Sequence, residues 1–136
     1  MMPSPRSRNH SASVYILLLL GFCSHLLTCR AEEIECILDE TLAPVRVEIL
    51  TDLIPSGTQW EVNDIFSRDT IFSGGPYEQP LFLYSEEKCV KKTGCYQFTL
   101  TDLDGYGLDG YYEIYYNDFL IKRGGGYFGF LDHSPL

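Results

Sequence analysis

The residues best suited to chemistry lie in segment 102–113, which reads DLDGYGLDGYYE. Asp102 and Asp104 place oxygen donors at positions one and three of this segment, Gly107 stands at position six, and Glu113 stands at position twelve. A calcium-binding loop of the EF-hand type has this spacing, because a hard cation prefers carboxylate oxygens and the glycine permits a sharp turn. The spacing therefore predicts a cation site.

The residues around this segment indicate strands, whereas an EF-hand has helices there. Segments 95–100 and 111–116 are rich in aromatic or β-branched residues that alternate with period two. Tyr106 and Asp109 also depart from the EF-hand pattern at positions five and eight. We therefore expect a strand–loop–strand turn that binds calcium through Asp102, Asp104 and one of Asp109 or Glu113, since Glu113 would lie in the following strand.

A purely structural interpretation of the same segment stays open. Gly105, Gly107 and Gly110 would then serve to allow positive φ in a tight connection. Asp102 and Asp104 would serve to accept hydrogen bonds from backbone amides of the turn.

Residues 1–31 have the three parts of a secretory signal peptide. Arg6 and Arg8 form a basic start, residues 14–22 are an unbroken apolar run, and a short segment ending at Ala31 offers a cleavage site. The alternative is a membrane anchor, but Ser24 and His25 interrupt the apolar stretch, and a membrane span needs about 20 apolar residues. We expect cleavage after Ala31 and a secreted, extracellular product without a membrane span.

The remaining 105 residues suffice for one domain with one core. Cleavage would remove three arginines and no acid, so the formal net charge would fall from −9 to −12. A chain this acidic is poorly suited to bind nucleic acid or an anionic lipid surface. It is better suited to cations or to a basic partner.

Cys36, Cys89 and Cys95 remain after cleavage. In an oxidising compartment we expect a disulfide between Cys89 and Cys95, which flank a short polar segment with a glycine. Cys36 would then pair with another chain, stay free and buried, or compete for one of the other two. Zinc is disfavoured because no histidine lies at ligand spacing from the three cysteines.

The rest of the chain predicts an all-β fold. Strand-like runs of alternating or compact apolar residues recur with Gly, Pro or Asn-Asp between them, and they cover residues 45–49, 58–62, 70–72, 81–84, 96–100, 111–116, 119–121 and 127–130. Seven or eight short strands of this kind predict an antiparallel β-sandwich, jelly-roll-like, over residues 45–136, after a lead-in at 32–44. We expect Trp60, Phe98 and Ile114 in its core.

The order of several short motifs resembles a small secreted β module of diatoms, other stramenopiles and some bacteria. The matching residues are Thr51-Asp52, Pro55, Trp60, Gly74-Gly75-Pro76-Tyr77, Cys89, Cys95-Tyr96-Gln97-Phe98, Asp102, Gly105, Gly107, Gly110-Tyr111, Gly125-Gly126 and Phe128-Gly129. Tyr106 stands where that module usually has an acid. The resemblance implies a secreted accessory or surface domain, sometimes appended to hydrolases, with no established activity of its own.

The chain offers little for catalysis. His133 is the only histidine after residue 31, it lies near the C-terminus where we expect fraying, and no serine has an elbow motif around it. The alternative function is a secreted hydrolase that uses the paired carboxylates of Asp102 and Asp109. We instead expect a non-catalytic module that binds an extracellular glycan or protein. The late tyrosines would either be exposed for such contacts or pair across strands. They are Tyr106, Tyr111, Tyr112, Tyr115, Tyr116 and Tyr127.

Overall fold

The computed structural model describes Cys36 and residues 38–136, so the predicted signal peptide lies outside the described residues. From Leu42 to Pro135 the described chain has eight strands joined by loops, and a short 3₁₀ helix lies at Pro55–Gly57. They are β1 (Leu42–Leu50), β2 (Thr58–Asp64), β3 (Thr70–Gly74), β4 (Leu83–Lys91), β5 (Tyr96–Asp102), β6 (Leu108–Tyr116), β7 (Phe119–Gly126) and β8 (Leu131–Pro135). Among the described residues, no helix is long and apolar enough to cross a membrane.

The strands form two four-stranded antiparallel sheets, with orders β4-β1-β6-β7 and β3-β2-β5-β8. We call them sheet A and sheet B. The buried side chains of both sheets form one core cluster, in which the rings of Phe98 from sheet B and Tyr112 from sheet A lie 5.0 Å apart. The predicted all-β, antiparallel sandwich is therefore confirmed.

Period-two alternation decides which side chains enter the core. Along β1 every second residue is buried, and the same holds for the first half of β2. The predicted core residues Trp60, Phe98 and Ile114 are all buried. The Trp60 indole also donates a hydrogen bond to the hydroxyl of buried Tyr77, so its one polar atom is satisfied inside the core.

The two-residue hairpin predicted at Asn117-Asp118 is confirmed. Both residues have positive φ, 50° and 63°, as a type I′ turn requires, and they join β6 to β7.

The last two strands differ from the prediction. The glycines at 124–126 were expected to end a strand, but β7 continues through Gly126, and Gly124 lies against the ring of Tyr112 where a Cβ would clash. The predicted strand at 127–130 is instead a loop, followed by β8. His133, expected to fray, lies in β8 opposite Thr99.

The predicted disulfide between Cys89 and Cys95 is wrong. Cys89 is bonded to Cys36, with 5.5 Å between their Cα atoms, and Cys95 is an exposed free thiol. The reason is topological. The segment between Cys89 and Cys95 is no hairpin turn, since β4 belongs to sheet A and β5 to sheet B. The chain crosses between the sheets there, which separates the two cysteines.

Candidate binding surface at the loop end of the sandwich

Four loops meet at one end of the sandwich because successive strands run in opposite directions. They are residues 51–57, 75–82, 103–107 and 127–130, which follow β1, β3, β5 and β7. We call this the loop end. Loops at one end of a rigid β-sandwich are a common place for binding residues.

Thr51 holds the first two loops together. It is fully buried, and its backbone N–H donates to the carbonyl of Phe82 at 3.0 Å. Its hydroxyl donates to the carbonyl of Gln79 at 2.8 Å and accepts the N–H of Phe82 at 3.0 Å. Leu81 adds a hydrogen bond from its N–H to the carbonyl of Asp52. The loop after β3 is therefore fixed against the loop after β1.

The third loop contacts both of its neighbours. The N–H of Leu103 donates to the carbonyl of Gly57 at 3.1 Å, and the N–H of Asp102 donates to the carbonyl of Phe130 at 3.0 Å. The Phe130 ring lies against Gly105, where a side chain would clash. Together with the contacts of Thr51, these bonds join all four loops into one surface.

The Asp102 carboxylate organises the acidic loop. Asp102 ends β5 and is only 4% exposed. Its Oδ2 accepts the backbone N–H groups of Tyr106 at 2.7 Å and Gly107 at 2.8 Å. Gly105 and Gly107 have positive φ, 77° and 87°, which this turn requires. The structural interpretation is thus confirmed for Asp102 and these two glycines.

Glu113 does not join the other predicted cation ligands. It lies between the buried residues Tyr112 and Ile114, so its side chain is on the outer face of sheet A. There its carboxylate is 3.3 Å from the Nε of Arg123 and accepts a hydrogen bond from the hydroxyl of Tyr115. The period-two alternation of β6 is the physical reason.

Asp102, Asp104 and Asp109 do come together, around a cleft of about 250 Å³. Asp52, Leu53, Ile54 and Tyr106 line the same cleft. Asp102 Oδ1 and Asp104 Oδ2 both approach Gly57, within 2.9 and 3.0 Å of where a Cβ would lie. Within residues 36 and 38–136, no three acidic, histidine or cysteine side chains are close enough to hold a metal ion.

Large apolar side chains are exposed on the four loops, and three of them line the cleft. Each is at least 60% exposed, and they are Leu53, Ile54, Leu81, Leu103, Tyr106, Tyr127 and Phe130. The four loops contain no lysine or arginine. The loop end thus combines exposed apolar side chains with carboxylates that have no basic neighbour on the loops.

The late tyrosines do not form a single aromatic platform. Tyr112 is part of the core, whereas the rings of Tyr111 and Tyr115 are covered on the outer face of sheet A by the guanidinium groups of Arg123 and Arg46. The guanidinium carbons lie 4.8 and 4.4 Å from the ring centroids. Only Tyr106 and Tyr127 of this group are largely exposed, both at the loop end.

Sequence reasoning missed the contribution of Asp52, Leu53 and Ile54 to the cleft. A local signal was present, because an aspartate side chain commonly accepts the backbone N–H two residues further on and so forms a turn. The Asp52 carboxylate accepts the N–H of Ile54 at 2.8 Å, as such a turn requires. Its position in the same cleft as Asp104, however, depends on the pairing of β2 with β5.

Comparison of the chain with protein-family models, with curated proteins and with solved structures gave no match. The resemblance to a secreted β module therefore stays a prediction. The residues that carry it have structural tasks here: Thr51 joins two loops, Trp60 and Tyr77 share a buried hydrogen bond, and Asp102 organises a turn.

Proposed function

We propose that this protein is a secreted, non-catalytic binding module that holds an extracellular glycan or protein at its loop end. The observation that carries the proposal is the joining of four loops by hydrogen bonds into one surface with exposed apolar side chains. Exposed apolar groups on a pre-ordered surface favour binding, because little conformational entropy is lost when a partner covers them.

Secretion is supported by the signal-peptide pattern at residues 1–31 and by the disulfide between Cys36 and Cys89. Disulfides persist in oxidising compartments and are rare in the cytosol.

The state of the two candidate carboxylates favours binding over hydrolysis. Asp102 is buried, and one of its oxygens is occupied by two backbone N–H groups, whereas Asp109 is exposed. A glycosidase pair needs both carboxylates free to face the bond that breaks. Turnover of any substrate in a hydrolase panel, lost in both Asp102→Asn and Asp109→Asn, would establish the alternative.

The proposal predicts that loop-end substitutions abolish ligand capture. The immobilised domain, residues 32–136, is offered a glycan array and solubilised extracellular matrix from its own source. We expect retained ligands to be lost when Tyr127→Ala and Tyr106→Ala are combined, because each ring is more than three-quarters exposed.

Phe66→Ala is the matched control. Phe66 is 82% exposed on the loop between β2 and β3, at the opposite end of the sandwich. Equal loss of ligand with Phe66→Ala, or full retention with both tyrosines removed, would refute the loop end as the binding surface.

Calcium is proposed as a stabiliser of the acidic loop through Asp102, Asp104 and Asp109. No three carboxylates of the described residues are close enough to hold an ion as they stand, so calcium binding would draw these side chains together. Carboxylates in one cleft repel each other, and a cation would remove that repulsion. We expect millimolar calcium to raise the melting temperature relative to a chelator, with an affinity of about 10⁻⁴ to 10⁻³ M. Glu113→Gln should keep this response and the double variant Asp104→Asn, Asp109→Asn should lose it. Equal melting temperatures with calcium and chelator would reject the cation.

A further inference from the structure

We propose that the partner at the loop end is a basic protein segment, which inserts a lysine or arginine into the cleft of Asp52, Asp102, Asp104 and Asp109. Apolar neighbours in that segment would pack on Leu53, Ile54 and Tyr106. The inference rests on the proposed function and names the class of partner.

Charge complementarity is the first argument. The cleft is lined by acidic, apolar and glycine residues only, the loops around it contain no base, and the whole chain has a net charge of −9. Asp102 Oδ1 and Asp104 Oδ2 both approach Gly57, each within 3.0 Å of where a Cβ would lie. A cationic side chain offsets this charge, whereas a neutral sugar leaves it uncompensated.

The shape of the lining is the second argument. Lysine and arginine have apolar stems and charged heads, so they suit a cleft lined by both apolar side chains and carboxylates. Leu53 and Ile54 supply the apolar part of the lining, and they are 73% and 67% exposed.

The molecule itself supplies a third argument on the outer face of sheet A. There Arg123 lies over the Tyr111 ring and contacts the Glu113 carboxylate, and Arg46 lies over Tyr115 with its Nε 3.0 Å from Glu48. Each arginine is thus held between a carboxylate and a tyrosine ring. The loop end has Tyr106 and Asp104 in one cleft without an arginine, and the partner would supply it.

The test uses residues 32–136 and two short synthetic peptides that alternate leucine with either arginine or glutamine. Binding is measured by fluorescence anisotropy at low and at physiological salt, with a chelator present. We expect the arginine peptide to bind more tightly than the glutamine peptide, and added salt to weaken it. The double variant Asp104→Asn, Asp109→Asn should bind the arginine peptide about tenfold more weakly. It leaves the turn-forming carboxylate of Asp102 in place.

The double variant Glu40→Gln, Asp69→Asn is the charge-matched control, since both residues are exposed and lie just before β1 and β3, at the opposite end. An equal effect of this control, or equal binding of the two peptides, would overturn the basic-partner proposal. If matrix ligands are still lost on removal of Tyr106 and Tyr127, the binding module stands and only the partner class fails. Displacement of the arginine peptide by millimolar calcium would support the shared use of these carboxylates.

Discussion

The Asp102 side chain forms the turn that begins the predicted calcium-binding segment. Its carboxylate accepts two short hydrogen bonds from the turn that follows it, and its backbone N–H reaches Phe130 on another loop. Asp102, Gly105 and Gly107 of the acidic, glycine-rich pattern are therefore required by the turn, whichever ligand the cleft holds.

Asp102→Asn should reduce the free energy of unfolding by about 1.5–3 kcal/mol, the usual contribution of hydrogen bonds to a charged group. The neutral amide oxygen is a weaker acceptor for the N–H groups of Tyr106 and Gly107. Urea unfolding measures the loss, and Asp109→Asn, at an exposed position, should change it by less than about 0.5 kcal/mol. Equal stability of Asp102→Asn and the unmodified domain would contradict this role.

At the scale of strands, the sheet assignment of β4 and β5 decides the cysteine chemistry. The neighbours in sequence, Cys89 and Cys95, are separated by the crossing between sheets, and Cys36 reaches Cys89 across a separation of 53 residues. A loop of that size loses much chain entropy when it is closed in the unfolded state.

Removal of the disulfide by Cys36→Ser should therefore lower the free energy of unfolding by about 4 kcal/mol in the chain-entropy estimate. Cys95→Ser should be close to neutral, because Cys95 is exposed and unpaired among the described residues. Denaturant unfolding of both variants measures the difference. Non-reducing peptide mapping that joins Cys89 to Cys95 would contradict the structure.

At the scale of the whole molecule, the core contains two tyrosines whose hydroxyls form hydrogen bonds. Tyr77 accepts one from Trp60, and Tyr112 donates one to Asp132. Burial raises the pKa of Tyr77 to about 12, and burial together with the hydrogen bond to Asp132 raises the pKa of Tyr112 to about 12. Unfolded tyrosine ionises near pH 10. Between about pH 10 and 12, these two tyrosines therefore stay protonated in the folded state and ionise in the unfolded state.

The contribution of these two tyrosines to the free energy of unfolding should accordingly be constant below about pH 10 and be lost as pH rises from 10 to 12, since the folded state binds more protons in that range. Urea unfolding at stepped alkaline pH measures the fall, and tyrosinate absorbance follows the ionisation. The variant Tyr77→Phe, Tyr112→Phe should show a shallower fall. A pH dependence unchanged by this variant would mean that other groups cause it.

The sequence by itself determined the features that depend on neighbours along the chain. Alternating, compact apolar and aromatic runs identified seven of the strands and placed Trp60, Phe98 and Ile114 in the core. The position of Glu113 in a strand raised the expectation that it would point away from Asp102. The hairpin at Asn117-Asp118 followed from two residues that tolerate positive φ. These features are local, because alternation and turn geometry act over a few residues.

Only the tertiary structure decided which distant segments meet. The strand orders of the two sheets brought Cys36 to Cys89, Asp52 to Asp104, and four separate loops to one surface. The sequence pattern of a strand specifies which face is buried, but several partner strands would satisfy the same alternation. The order of strands depends on the packing of the entire core, so the binding surface at the loop end could be located only in the folded molecule.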